Sequence, residues 1–199
     1  LRPLAYKKHP YQWPTIGIKP EHIQNADLQD VEAFYNRYYT PENAVLSIAG
    51  NIDHEEILNL VDHWFGGLSP THGQKIQLPA EPVQEELRFL EVESDVPMDA
   101  IYKVYHMPAR GTKDYITADL ASDLLGRGKS SRMYHKLVKK KKIFNSIQAY
   151  ITGSSDPGLI IISGKLNPGQ KIEDGDKHID EEIELAFSNI VDEEVEKVI

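Results

Sequence analysis

The chain is 199 residues long, with 40% hydrophobic and 27% charged residues and a formal net charge of −9. That charge excludes a nucleic-acid surface or an anionic-membrane surface, both of which need a basic footprint. The absence of cysteine excludes disulfides and thiolate-bound metal.

The length holds one ordinary domain or two small ones. No apolar run approaches the ~18 residues of a membrane span. The first residue is Leu1, and Asp192–Ile199 reads as a helix stopped in its first turns. The sequence therefore reads as a piece of a longer protein.

Residues 1–24 are rich in proline and aromatics, carry no clear period and are expected to be extended. A helix should begin at Leu28, with Asp27 as N-cap and Asp30 completing a capping box. Leu28, Val31, Phe34, Tyr35 and Tyr38 form its apolar face, and Pro41 stops it. The run Ala44-Val45-Leu46-Ser47-Ile48-Ala49 reads as a buried strand closed by Gly50-Asn51. Asp53 then caps a second helix, with Ile57, Leu60, Val61 and Trp64 on one face and Gly66-Gly67 at its end.

Residues 67–86 read as a linker, punctuated by Pro70, Gly73, Pro79 and Pro82. Strands are expected at about 87–94 and 100–107. A helix from about Asp114 to Leu125 follows, with Thr112 as its cap. Gly126-Arg127-Gly128-Lys129 breaks it, and Ser130 or Ser131 caps another helix through Lys141. Two more strands, about 144–152 and 159–166, flank a turn whose Asp156-Pro157-Gly158 step is a strong turn signal. A long helix then runs to about Asn189, weakened at Gly175. Short strand connections and helix pairs predict an α+β fold, with an antiparallel-rich sheet covered by helices on one face.

Four patterns could carry chemistry. Gly126-Arg127-Gly128-Lys129-Ser130-Ser131 contains a Gly-Lys-Ser triplet, but a phosphate loop needs glycine where Asp123 stands, and it follows a strand. A helix-to-helix loop is the better reading. His178-Ile179-Asp180-Glu181-Glu182 approaches an inverted zinc motif but ends in Glu182 instead of histidine. Its acidic neighbours Glu173, Asp174, Asp176 and Asp180 make a solvated helical face the expectation. None of the eight histidines pairs at helical metal spacing. Asp53-His54-Glu55-Glu56 is explained by capping and first-turn acidity. Lys139-Lys140-Lys141-Lys142 reads as a solvated, charge-complemented helix end. By residues alone there is no complete active site: no catalytic residue and no metal ligand is assigned.

Certain elements nonetheless stand in a specific order: His9-Pro10-Tyr11, Pro14-Thr15-Ile16-Gly17, Phe34-Tyr35-Asn36-Arg37-Tyr38-Tyr39, Pro41-Glu42-Asn43-Ala44 and Ala49-Gly50-Asn51-Ile52-Asp53. Further on come Leu124-Leu125-Gly126, Ser130-Ser131-Arg132-Met133-Tyr134 and Asp156-Pro157-Gly158-Leu159. Taken together they resemble the zinc metallopeptidases of the pitrilysin, insulin-degrading enzyme and mitochondrial processing peptidase family, the shorter bacterial members most.

The resemblance implies a parent that hydrolyses peptide bonds. Zinc there is held by His-x-x-Glu-His and a more distant Glu, and all of these would lie upstream of His9. It implies no cofactor in this chain and zinc in the parent protein. Residues 1–66 would be the end of the zinc-bearing domain, 67–86 a linker, and 87–199 most of a second, non-catalytic domain. The family's substrate-contacting Arg and Tyr, seven apart, fall at Val138 and Asn145, and neither supplies that chemistry. The Gly126–Ser131 loop corresponds to a glycine-rich loop, which nominates Lys129, Ser130 and Ser131 as substrate contacts.

Expected partners are a peptide or protein substrate of the parent and the remaining half or a partner subunit. The complementary truncation of the two pieces predicts that the first docks on the second, in cis or by segment exchange within a homo-oligomer. A bacterial cytoplasm or periplasm is the expected compartment. Two other readings remain open: a non-catalytic scaffold subunit of the same fold, and a peptide-binding module using strand addition.

Overall fold

The computed structural model describes residues 1–68 and 77–198; Pro70 and Gly73 of the expected linker lie outside the described residues. The chain divides into two units. One comprises Arg2 and Tyr6–Val83, the other Leu1, Pro3–Ala5 and Gln84–Ile199.

The first 24 residues are more folded than their lack of a period implied. They form a one-turn helix α1 (Arg2–Ala5), a 3-10 turn (Pro10–Gln12) and a one-turn helix α2 (Glu21–Gln24). Proline sets φ for turn entry and is tolerated where the N–H has no partner. Pro10 opens the 3-10 turn, and the His9 ring nitrogen Nδ1 accepts the Tyr11 amide at 3.2 Å. His9 is buried, and its ring lies 4.3 Å from Tyr11 and 6.0 Å from Tyr6. The carboxylate of Glu81 accepts the amides of Lys7, Lys8 and His9 at 2.7, 2.8 and 2.9 Å. Burial, the neighbouring Tyr11 and then Glu81 push the Tyr6 phenol up to about 12.

Helix α3 (Leu28–Tyr38) starts as its capping box requires: the Asp27 side chain accepts the Asp30 amide, and the Asp30 side chain accepts the Asp27 amide. Helix α4 (His54–Phe65) has Asp53 accepting the Glu56 amide at 2.9 Å. The run 44–49 is not a buried strand. It carries no assigned secondary structure and pairs with no strand among the described residues, and Val45 is 95% exposed. An apolar, β-branched run marks a capacity to pair; a partner strand must supply the other half of the ladder. The apolar faces of the flanking helices are equally uncovered, with Phe34, Tyr35 and Trp64 exposed.

The expected strand at 87–94 is likewise unpaired among the described residues, with Leu87 91% exposed. Arg88 is held there by the carbonyls of Leu4 and Ala5, at 3.0 and 2.8 Å. The sheet has three strands, β1 (Ala100–His106), β2 (Phe144–Ile151) and β3 (Leu159–Leu166), in the order β1-β3-β2 and wholly antiparallel. Helices α5 (Lys113–Gly126) and α6 (Ile172–Ser188) pack on it, and a short α7 (Asp192–Glu196) ends the unit. Ile101, Leu124, Leu125, Met133, Leu137, Phe144, Ile147, Ile162, Leu166 and Ile179 form one core. This is the expected α+β arrangement of helices on an antiparallel sheet.

Two local findings differ from the sequence reading. The expected helix through Lys141 is a π-helical segment, Tyr134–Lys140, in which the Lys141 amide reaches back to the Lys136 carbonyl at 2.8 Å. Its wide turn ends in left-handed Lys142, whose carbonyl accepts the Asn167 side-chain amide at 2.8 Å. Gly175 is not a weak point in α6. It is buried, and a Cβ there would fall 2.7 Å from Leu166 Cδ2 and 2.9 Å from Ile101 Cδ1. The glycine is what lets α6 settle onto the sheet.

Candidate functional site

The site sits where α5 ends against β2. Helix α5 begins at Thr112, whose hydroxyl accepts the Tyr115 amide at 3.1 Å. Its last turn buries Ser122, Leu124, Leu125 and Gly126. Gly126 must be glycine: a Cβ would lie 2.1 Å from the Ala149 amide nitrogen. The helix end can therefore touch β2 backbone to backbone.

On the same side as Gly126, Asp119, Asp123 and Arg127 stand at four-residue intervals, which places them in one row. Arg127 donates to both Asp123 oxygens, at 3.2 and 2.9 Å. The half-buried Asp119 carboxylate has no hydrogen-bond or ion-pair partner among the described residues. Gly128 then takes φ of +76°, a conformation open to glycine at no cost. The three sequence-nominated contacts part ways here. Ser131 is buried and turns its hydroxyl inward to the Gly128 carbonyl at 2.9 Å. Lys129 and Ser130 stand at the surface.

Strand β2 forms the other wall. The Thr152 amide donates to the Leu159 carbonyl at 2.8 Å, next in register to Ile151 and Ile160. Antiparallel residues alternate between exchanging bonds with the partner strand and facing away from it. The peptide groups of Gln148 and Tyr150 therefore face β3, and those of Ile147, Ala149 and Ile151 face outward. No strand pairs on that side among the described residues, because β2 ends the sheet. Between this edge and the end of α5 lies an open cleft of about 480 Å³, lined by Asp119, Asp123, Arg127, Ala149, Tyr150 and Ile151 among others.

The cleft thus sets a net negative helix face beside the last strand of the sheet, whose Ile147 and Ala149 are buried at 6% and 3% exposure. The sequence reading reached the loop and missed Asp119 and the β2 edge. The i, i+4, i+8 spacing of Asp119, Asp123 and Arg127 was the available signal.

The other candidates resolve into packing. His178 Nδ1 lies 2.7 Å from Glu181 and 2.9 Å from Lys141 Nζ. Hydrogen bonds from His178 and then Lys141 hold the Glu181 carboxyl below its ordinary range. Glu182 is not on a solvated face, as its acidic surroundings implied: it is 2% exposed, with Lys136 Nζ 3.0 Å away. That contact is an ion pair without directed hydrogen-bond geometry, since the same oxygen counts no hydrogen-bond partner. Asp176 and Asp180 both grip Lys103, at 2.9 and 2.5 Å. Val138 packs against the core, and Asn145 is exposed. Lys139 and Lys140 are exposed. Among the described residues no helix is long and apolar enough to cross a membrane.

Comparison with known proteins matches residues 25–199 to the model of the peptidase M16 inactive domain. The chain is 32% identical over 178 residues to the zinc protease PqqE of Helicobacter pylori, covering 88% of this chain and 40% of that one. It is 28% identical to a mitochondrial-processing peptidase subunit beta of Schizosaccharomyces pombe, covering 80% of this chain and 37% of that one. The crystal structure of a protease from Helicobacter pylori superposes with a TM-score of 0.86 at 31% identity, over 99% of this chain and 48% of that one. The chain thus spans less than half the length of these relatives. The first of these is named a zinc protease, but the described residues of this chain contain no group of three His, Cys, Asp or Glu that could hold a metal ion. They do not form a zinc site.

Proposed function

Because this chain belongs to the peptidase M16 inactive-domain family, we propose that it is a non-catalytic part of a zinc metallopeptidase and forms one wall of the chamber that holds its substrate. The carrying observation is the inactive-domain match across residues 25–199. Peptide-bond hydrolysis and the zinc that activates water belong, on this reading, to other parts of the parent protein. This chain's share is to hold polypeptide, with the surface residues Lys129 and Ser130 and the Ser131 turn bordering the cleft at the end of α5.

The parent's remaining half, or a partner subunit, would cover the apolar faces left open on α3 and α4 and the unpaired runs 44–49 and 87–94. Exposed apolar surface of this kind marks an interaction face. The mitochondrial relative is itself named as a subunit, which supports a multi-part assembly. The same faces support association of copies, including segment exchange.

The test is to assay the purified chain for zinc and for cleavage of an internally quenched peptide. The expected result is less than stoichiometric zinc and no cleavage. Stoichiometric zinc with turnover would overturn the non-catalytic assignment.

A further inference from the structure

We propose that Tyr6 is the pivot of a two-strand hinge in this chain, and that Glu81 and Arg88 are the clasps that fasten its two strands together, one on each side of the pivot. This goes beyond the reading above and does not depend on it. After α1 the chain passes from one unit to the other twice, between Ala5 and Tyr6 and again between Val83 and Gln84. On the returning strand, two side chains of opposite charge hold the outgoing one. Glu81 takes donors, the amides of Lys7, Lys8 and His9 at 2.7, 2.8 and 2.9 Å. Arg88 takes acceptors, the carbonyls of Leu4 and Ala5 at 3.0 and 2.8 Å. Each set of bonds lies wholly within one unit. Hydrogen bonds to an ionised side chain are the stronger class, so both holds are firm.

The pivot follows from which peptide groups are held. The peptide group joining Ala5 to Tyr6 has its carbonyl on Arg88, with His106 Nε2 3.1 Å away, and its amide on the Arg2 carbonyl at 2.9 Å. The next peptide group has its amide on Glu81. Peptide groups are planar, so only φ and ψ of Tyr6 connect one held plane to the other. The Tyr6 ring is 3% exposed, with the His9 and Tyr11 rings 6.0 and 5.8 Å away, all in the same unit.

The returning strand is slack by contrast. No main-chain amide of residues 83–87 is bonded among the described residues, and Val83 is 87% exposed. Hinges are a few residues that absorb a large φ/ψ change between segments that are each held. Here one residue takes that change and the 82–87 stretch follows it. Residues 6–83, which carry α3 and α4, therefore turn about Tyr6.

The experiment uses the full chain. It has no cysteine, so two spin labels can be placed without removing any, through Glu55→Cys on α4 and Lys140→Cys, both exposed positions. Double electron–electron resonance then reads the spread of distances between the units. Glu81→Ala with Arg88→Met should widen that spread by about twofold, because both clasps are gone. Tyr6→Gly should widen it by about the same factor with both clasps present, since glycine relaxes φ and ψ. Gln84→Gly should leave it unchanged, because that strand is already slack. An unchanged spread in the clasp variant would overturn the hinge, and equal widening by Gln84→Gly and Tyr6→Gly would overturn the pivot. Hydrogen exchange of the unaltered chain gives a second reading that needs no variant. The amides of Lys7, Lys8 and His9 should exchange about tenfold slower, or more, than those of Gln84–Leu87. Equal rates would remove the contrast between a held and a slack strand and sink the inference.

Discussion

Gly175→Ala sets two effects of opposite sign against each other. In a free helix the change would stabilise by about 1 kcal/mol, because alanine outranks glycine by that much in helix propensity. In α6 the added Cβ would meet Leu166 Cδ2 at 2.7 Å, Ile101 Cδ1 at 2.9 Å and Phe144 Cζ at 3.2 Å. The first two are side-chain tips and can give way. The Phe144 ring cannot retreat, because its other edge already occupies the space over Gly164, within 2.5 Å of where a Cβ would stand. Overpacking of a filled core costs ~1–3 kcal/mol. The propensity gain offsets part of that, leaving a net loss of about 1 kcal/mol. Trp13 and Trp64 both lie in the other unit, so tryptophan fluorescence would not report this core. Hydrogen exchange at the β3 amides does, and they should exchange roughly fivefold faster in the variant. Gly67→Ala, with nothing within 4 Å of its Cβ position, serves as the neutral control. Slower β3 exchange in Gly175→Ala would refute the claim that glycine is there for packing.

Glu81→Ala should free the amides of Lys7, Lys8 and His9. Charge-assisted bonds are worth ~1.5–3 kcal/mol each, so those amides should exchange at least tenfold faster while β3 is unchanged. Glu194 holds α7 through Arg132, which also donates to the Leu185 carbonyl at 3.1 Å and to the Asn189 carbonyl. The hydrogen bond from Arg132 keeps the Glu194 carboxyl below its ordinary range. That contribution is full above the unfolded value of about 4.3 and is lost as pH falls through the lowered pKa. Carbon-13 NMR of the Glu194 carboxyl should therefore place its titration below that value, and a midpoint at or above it would count against the pairing. Lys103 runs the other way. Burial lowers its pKa, but the hydrogen bonds that Lys103 donates to Asp180 and Asp176 outweigh this and the net shift is upward. Its stabilisation is full below the unfolded value of about 10.4 and is lost only as pH rises through the raised pKa. Lys103→Met should thus lower the melting temperature at pH 7 by a few degrees, and the gap from wild type should close only in strong alkali.

What was legible in the sequence was local. Asp27 with Asp30, Asp53 with the Glu56 amide, and Thr112 with the Tyr115 amide announce three helix starts, because a cap acts within one turn of itself. Asp156-Pro157-Gly158 announces the β2–β3 turn for the same reason. The ordered motifs from His9 onward pointed to the family, and the loop Gly126–Ser131 drew the eye to the neighbourhood of the cleft. His9 itself is a buried packing residue, and the partner that fixes its segment, Glu81, stood inside what composition marked as linker.

The rest depended on distance in space. Runs 44–49 and 87–94 carry strand-like sequences, yet a strand exists only where a second one completes its hydrogen bonds, and no described residue does so. Whether Gly175 weakens a helix or seats it depended on Leu166, Ile101 and Phe144 meeting it from three other segments. Asp119 is one acid among many until the end of α5 meets β2 and places it in a shared cleft. Propensity, capping and turn chemistry act over a few residues, so the sequence by itself determined where helices start, where turns fall and which family the chain resembles. Pairing, burial and the partnering of charges act between segments far apart along the chain, and only the tertiary structure decided them.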